Sequence, residues 1–170
     1  MKIVYLAALC LLLSGCAMPV WETVEDELPV SEVSVWQEET YTIQFGLPET
    51  VSLTETRDGW QSYSDADGIL EIETGTFLTS GMDSAVRMVS GFDAEELTVL
   101  QTSRFDMPEY QFAWVSQTEQ GSRLYRADLV LDGTVCYAVI CSRPETAGND
   151  RDQQIRQVFS TFGLFTDEEV

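Results

Sequence analysis

The chain has 170 residues, with 29 Asp plus Glu against nine Lys plus Arg and no His, for a formal charge of −20. So acidic a chain repels phosphate backbones, which excludes nucleic acid as a partner, and without His it lacks the commonest general base and metal ligand. The length suits a single core that buries roughly 68–70% of the unfolded surface, and is too short for a (β/α)8 barrel of about 250 residues.

Residues 1–15 carry Lys2 and an apolar run from Ile3 to Leu13, and Cys16 follows Ser14-Gly15. A short basic start before an apolar stretch of about 7–15 residues makes a secretory signal peptide, too short to span a bilayer as a helix. Leu13-Ser14-Gly15-Cys16 resembles the lipobox of bacterial lipoproteins. The resemblance implies diacylglyceryl transfer to the Cys16 thiol, cleavage between Gly15 and Cys16, and attachment to the extracytoplasmic face of a membrane through acyl chains such as palmitate. Secretion with cleavage elsewhere and an uncleaved anchor are the alternatives. Cleavage at Cys16 also removes Lys2, the one Lys of the chain, so no polybasic patch is left for anionic lipid. Two acyl chains suffice for stable anchoring where one does not.

Residues 16–39 lose periodicity. They carry Glu22, Glu25, Asp26, Glu27, Glu32, Glu38 and Glu39, with Pro19 and Pro29. Such a stretch buries too little apolar surface to fold alone, which predicts a flexible acidic tether with a root-mean-square span of about 25–30 Å. Trp21 and Trp36 read as contacts with the membrane interface and the domain edge, or else as docking points for a partner.

A single domain is expected over residues 40–165, followed by an acidic tail at 166–170. Tyr41, Ile43 and Phe45 alternate with polar residues in a half-buried strand that ends at Gly46-Leu47-Pro48. Val51, Leu53 and the segment from Trp60 to Tyr63 predict short strands. Asp65-Ala66-Asp67-Gly68 is a turn before Ile69, Leu70 and Ile72, and Gly75 to Gly81 reads as a loop or short strand. Met82, Ala85, Val86 and Val89 recur at helical spacing, and Gly91 stops that helix. Asp93 and Glu96 have capping-box spacing. Leu97, Val99 and Gln101 begin a strand, and Tyr110, Phe112, Trp114 and Ser116 share one face of the next. Gln120-Gly121 turns the chain into a strand facing one way with Tyr125, Ala127, Leu129 and Leu131. Asp132-Gly133 is a hairpin signal. Val135, Tyr137, Val139 and Cys141 then oppose Cys136, Ala138 and Ile140, so both faces are apolar and the strand is central. Asn149 or Asp150 is expected to cap a closing helix, with Asp150 and Gln153 in a capping box, Ile155, Val158, Phe159 and Phe162 on its apolar face, and Gly163 at C′.

Strands, a helix, an antiparallel meander and a terminal helix make an α+β domain, an antiparallel sheet flanked by helices. The opening strand ending in Leu47-Pro48, the Trp soon after, the mid-chain helix, the meander and the closing Phe159-Ser160-Thr161-Phe162 resemble the PsbP/Mog α/β/α sandwich. That group includes photosystem extrinsic subunits, a Ran-binding nuclear protein and bacterial lipoproteins of the DcrB type. The resemblance implies a non-enzymatic binding or accessory role and brings no catalytic residues with it.

The chemistry is thin. Aligning Gly68 with the invariant Gly of a calcium loop puts Tyr63 and Thr74 where ligands belong, so Asp65 and Asp67 read as a polar turn. Paired carboxylates could serve a glycosidase, but nothing marks one pair among 29 acids. Ser-His-Asp and Cys-His arrangements are impossible without His. Cys136 and Cys141 fit no redox or zinc spacing and read as small buried apolar residues without a disulfide. Tyr110, Phe112, Trp114, Tyr125 and Tyr137 could line a pocket, or form core beneath a helix. The strands around Arg104, Arg123 and Arg126 are one candidate surface for an envelope partner. No catalytic residue, cofactor or metal is expected. The leading expectation is a membrane-anchored, non-catalytic binding or accessory lipoprotein of the cell envelope. A carboxylate-dependent extracytoplasmic hydrolase and a purely structural envelope lipoprotein are the alternatives. A pocket with convergent polar groups would favour binding, and two desolvated, paired acids in a cleft would favour the hydrolase.

Overall fold

Period-two alternation between Tyr41 and Pro144 commits most of that stretch to strands, because successive side chains on a strand face opposite ways. The computed structural model describes residues 41–166. Gly15, Cys16, the expected signal peptide and the acidic tether lie outside the described residues, as do residues 167–170. Two helices and nine strands appear among the described residues. In chain order they are β1 (Thr42–Gln44), β2 (Val51–Arg57), β3 (Trp60–Asp65), β4 (Glu71–Leu78), α1 (Met82–Ser90), a 3₁₀ turn (Ala94–Glu96), β5 (Leu100–Arg104), β6 (Met107–Thr118), β7 (Gly121–Asp132), β8 (Val135–Pro144), α2 (Asn149–Thr161) and β9 (Gly163–Phe165).

Seven strands form one antiparallel sheet in the order β2-β3-β4-β8-β7-β6-β5, and β1 pairs with β9 in a separate ribbon. The central strand is β8, as its two apolar faces predict. Val135, Tyr137, Val139 and Cys141 enter one buried cluster with Leu70, Ile72 and Val130, together with Ile155 and Val158 of α2. Cys136, Ala138 and Ile140 enter the other with Phe112 and Leu129, together with Ala85 and Val86 of α1. Each fully buried Leu, Ile or Val contributes roughly 1.5–3 kcal/mol of transfer free energy. Cys136 and Cys141 are free and buried, one in each cluster, and burial pushes both thiols up to about 12.

Several boundaries differ from the sequence reading. The Gly75–Gly81 stretch continues β4 as far as Leu78. Leu97 and Val99 pack into the α1-side cluster ahead of β5, which starts only at Leu100. Neither Asn149 nor Asp150 caps α2. Gly148 holds that position with no side-chain cap, Asp150 sits in the first turn, and Asp152 is taken by Arg143 at 2.7 Å. Gly163 follows α2 in an extended conformation and opens β9. Glycine is needed there because a Cβ would lie 2.6 Å from the Phe165 ring. Tyr137 leaves the expected aromatic group, since its parity sends it to the α2 side, while Tyr110, Phe112, Trp114 and Tyr125 gather on the α1 side.

Gly75 has a packing role as well. Trp60 lies across it and stacks on Phe77 with ring centroids 5.7 Å apart; a Cβ at 75 would meet the indole at 2.3 Å. Gly75→Ala should therefore displace a rigid ring and cost about 1–3 kcal/mol. The check is the urea midpoint at unchanged slope. An unshifted midpoint would mean that the indole is not held against the strand.

Candidate functional site

The sheet face that carries α2 holds a cluster of polar residues whose positions follow from register. Thr102 pairs with Glu109 between β5 and β6, and Gln111 pairs with Asp128 between β6 and β7. Leu100, Thr102 and Arg104 share parity on β5, as do Glu109, Gln111 and Ala113 on β6 and Arg126 and Asp128 on β7. Two carboxylates meet there: the Glu109 side chain is 6% exposed and that of Asp128 1%.

Arg104 joins them. Its Nε donates to Glu109, one terminal nitrogen reaches Asp128 at 3.3 Å, and the other donates to the Phe162 carbonyl at 2.9 Å, with the guanidinium over the Phe162 ring. It thus holds a carbonyl at the C-terminal end of α2, where a cation also complements the helix dipole. The Thr102 hydroxyl donates to Glu109, and the Gln111 amide donates to Asp128 at 3.1 Å and to Glu109 at 3.3 Å.

This arrangement drives the two acids apart. Burial and the neighbouring Glu109 carboxylate push Asp128 up to about 7, against the opposing pull of Arg104. Burial acts against Glu109 too, but hydrogen bonds from Thr102 and Arg104, with the Arg104 charge, hold it below its usual value. Because the folded value of Asp128 is raised, its contribution to stability is complete below its unfolded value and is lost as pH rises through about 7. Glu73, also raised by burial and by Glu71 and Glu55, acts in the same direction. Thermal stability should fall from about pH 5 to about pH 8, and Asp128→Asn should flatten part of that fall while leaving the share due to Glu73. An amide at 128 donates to Glu109 as a protonated carboxyl does. A pH–Tm profile identical to that of the unsubstituted chain would contradict the assignment.

Beside the acids opens a pocket of about 260 Å³, bounded by Leu100, Gln111, Ala113, Arg126, Asp128 and Phe159. Arg126 lies over the Phe159 ring at 5.5 Å. It is the one half-buried arginine with no ion pair among the described residues.

Of the arginines on the candidate partner surface, Arg104, Arg123 and Arg126, two are engaged within the domain. Arg104 is engaged as described. The Arg123 side chain, 5% exposed, donates to the carbonyls of Gly68 and Ile69 and to Ser142, and pairs with Glu71 at 3.0 Å. Both are internal staples, with most of their donors directed to acceptors within the domain. Only Arg126 still faces open space. Asp65 and Gly68 form the expected turn: Asp65 accepts the amides of Ile69 and Leu70 at 2.7 and 3.2 Å and pairs with Arg151 at 2.9 Å. Among the described residues no group of three or more Cys, Asp or Glu could hold a metal ion, and no helix is long and apolar enough to cross a membrane. The Glu109–Asp128 pair escaped the sequence reading. Its signal was the shared strand parity of Thr102, Glu109, Gln111 and Asp128.

No protein-family model and no curated protein matches the chain. Solved structures do. The fold is similar to that of cyanobacterial PsbP from Synechocystis sp. PCC 6803, with a TM-score of 0.52 and 10% identity over 75% of this chain and 94% of that one. LpqN of Mycobacterium tuberculosis, described as involved in cell envelope biogenesis, aligns with a TM-score of 0.50 and 10% identity over 75% of this chain and 86% of its own. A Bacteroides thetaiotaomicron protein aligns with a TM-score of 0.52 and 9% identity over 74% of this chain, and the chain spans 46% of its length. At such identities the likeness concerns fold: a mostly antiparallel sheet with two helices, PsbP-like.

Proposed function

We propose that the chain is an extracytoplasmic lipoprotein held at a membrane by acyl chains on Cys16. In this reading its domain, a three-layer α/β/α sandwich of the PsbP/Mog kind, is a non-catalytic binding or accessory module of the cell envelope. The observation that carries the binding role is the contrast between the acid pair and the pocket beside it. The Glu109 and Asp128 side chains are 6% and 1% exposed and are engaged by Arg104, Thr102 and Gln111, whereas Arg126 meets open space with no carboxylate partner. A hydrolase needs its carboxylates at the substrate, while a binder needs an unspent recognition group at a cavity. The Leu13-Ser14-Gly15-Cys16 motif supports the anchor, and the likeness to LpqN supports an envelope setting.

Fractionation tests the anchor. The unsubstituted chain should partition into the detergent phase, and Cys16→Ala should accumulate unprocessed or leave the membrane; normal maturation with unchanged partitioning would end the lipoprotein reading. One observation favours the hydrolase instead: two nearly buried carboxylates meet, and burial pushes Asp128 up while Thr102 and Arg104 hold Glu109 down, the pattern of an acid beside a base. Glycan, peptide and ester panels separate the two. Turnover that disappears in Asp128→Asn or Glu109→Gln would promote the hydrolase.

A further inference from the structure

We propose that the pocket between Phe159 and the β6–β7 surface is a binding site for a monocarboxylate with a compact apolar body, recognised by Arg126. The inference rests on the binding role proposed above and names its ligand class.

The groups around the cavity divide by chemistry. Phe159, Leu100 and Ala113 supply apolar walls, and Leu100 is 56% exposed. Arg126 supplies the charge. Its guanidinium carbon lies over the Phe159 ring at 5.5 Å, which holds the group at the cavity, and it makes no ion pair, so its donors remain for a ligand. Carboxylates match that planar fork with two parallel hydrogen bonds. Gln111 donates through its Nε2 to Asp128 and Glu109, so its Oε1 is an acceptor for a ligand N–H or O–H. The volume of about 260 Å³ equals about nine waters' share of liquid, room for a ligand of about ten heavy atoms such as phenylacetate.

The surrounding charge permits an anion here. Asp128 adjoins the cavity, but its Oδ2 is bound by Arg104 and Gln111, its Oδ1 is buried, and burial with the neighbouring Glu109 pushes the group up to about 7. The net charge of −20 opposes approach from a distance, yet beyond about 8 Å it is largely screened at physiological salt. Recognition therefore depends on the short-range fork. Dicarboxylates fit poorly, because the second charge would lie against Phe159 or Asp128.

The test is a fluorine-NMR titration of the full chain in mild-detergent micelles, with empty micelles as the control. Its probes are 4-fluorophenylacetate and the neutral 4-fluorophenylacetamide. The acid should saturate with a Kd of about 1–10 mM or tighter, as expected for so few atoms, and the amide should not. Arg126→Gln should weaken the acid about tenfold or more. Ala113→Phe should abolish binding by filling the cavity and decides the matter if Arg126→Gln fails to fold by circular dichroism. N-acetyl-4-fluorophenylalanine distinguishes the source: tighter binding than phenylacetate indicates a peptide C-terminus whose N–H reaches Gln111, and weaker binding a free small acid, both within the proposed class. No saturation below about 20 mM, equal binding of acid and amide, or full affinity in a folded Ala113→Phe chain would overturn the proposal. None of those outcomes alters the Cys16 fractionation result, so failure of the ligand class and failure of the anchor are read separately.

Discussion

Arg104→Met should destabilise the fold by about 3–5 kcal/mol, because it leaves two buried carboxylates facing each other without a cation. The lost methylene packing is small, since Met fills much of the same stem volume. The Phe162 carbonyl also loses its donor. Against a total stability of about 5–15 kcal/mol, a loss of this size is readily seen in urea denaturation. The cause can be isolated. Adding Glu109→Gln and Asp128→Asn to Arg104→Met removes the stranded charges, and the triple variant should recover much of the loss. A single variant within about 1 kcal/mol of the parent, or a triple variant no better than the single, would show that the acids do not depend on Arg104.

Tyr137→Ala should cost a similar amount, about 3–5 kcal/mol, for a different reason. Tyr137 is fully buried in the α2-side cluster, so its removal opens a cavity at the middle of the central strand. Its hydroxyl accepts the Tyr41 amide at 3.1 Å, and the two rings meet edge to face at 5.8 Å. The loss should therefore appear locally as well as globally. Amide exchange at Ile43, which sits in the β1–β9 ribbon, should accelerate in Tyr137→Phe even though that variant keeps the ring and costs only about 1 kcal/mol. Unchanged exchange at Ile43 would mean that the ribbon is held by other contacts.

The residues that made elements legible were those with one dominant local reason. Val135 to Cys141 is apolar on both parities, and only a central strand satisfies that pattern. Met82, Ala85, Val86 and Val89 have one helical stripe, and Gly91 ends α1 in the left-handed conformation. The element order led to the PsbP-like fold that the solved structures share. What stayed hidden depends on distant partners. Thr42 pairs with Phe165 across nearly the whole domain, and no local signal announces a three-residue strand such as β9. The acid pair lies between these extremes. The turns before Gly121 and after Asp132 set the register of β6, β7 and β8, so Gln111 opposite Asp128 follows by counting. The third turn conceals the rest. Phe105 and Asp106 both adopt positive φ there, at 54° and 61°, without the Gly or Asn that marks such a hairpin. The number of arginines was plain, but their use was not. The strands around three of them read as one candidate partner surface, and the fold uses Arg104 and Arg123 on carboxylates and carbonyls of its own.

The position of β8 has a consequence for the order in which the chain assembles. β5 to β8 are joined by tight hairpins, so the meander closes small loops and should form early and fast. β4 is different. Its partner across Glu71–Ser142 lies 71 residues later, so a chain emerging from its N-terminus presents the β2–β4 unit long before the strand that covers its edge exists. Ile72 and Thr74, buried in the finished sheet, stand on that open edge meanwhile. Folding during emergence should thus pass through a stage with a waiting template for strand addition, where self-association competes with the arrival of β8.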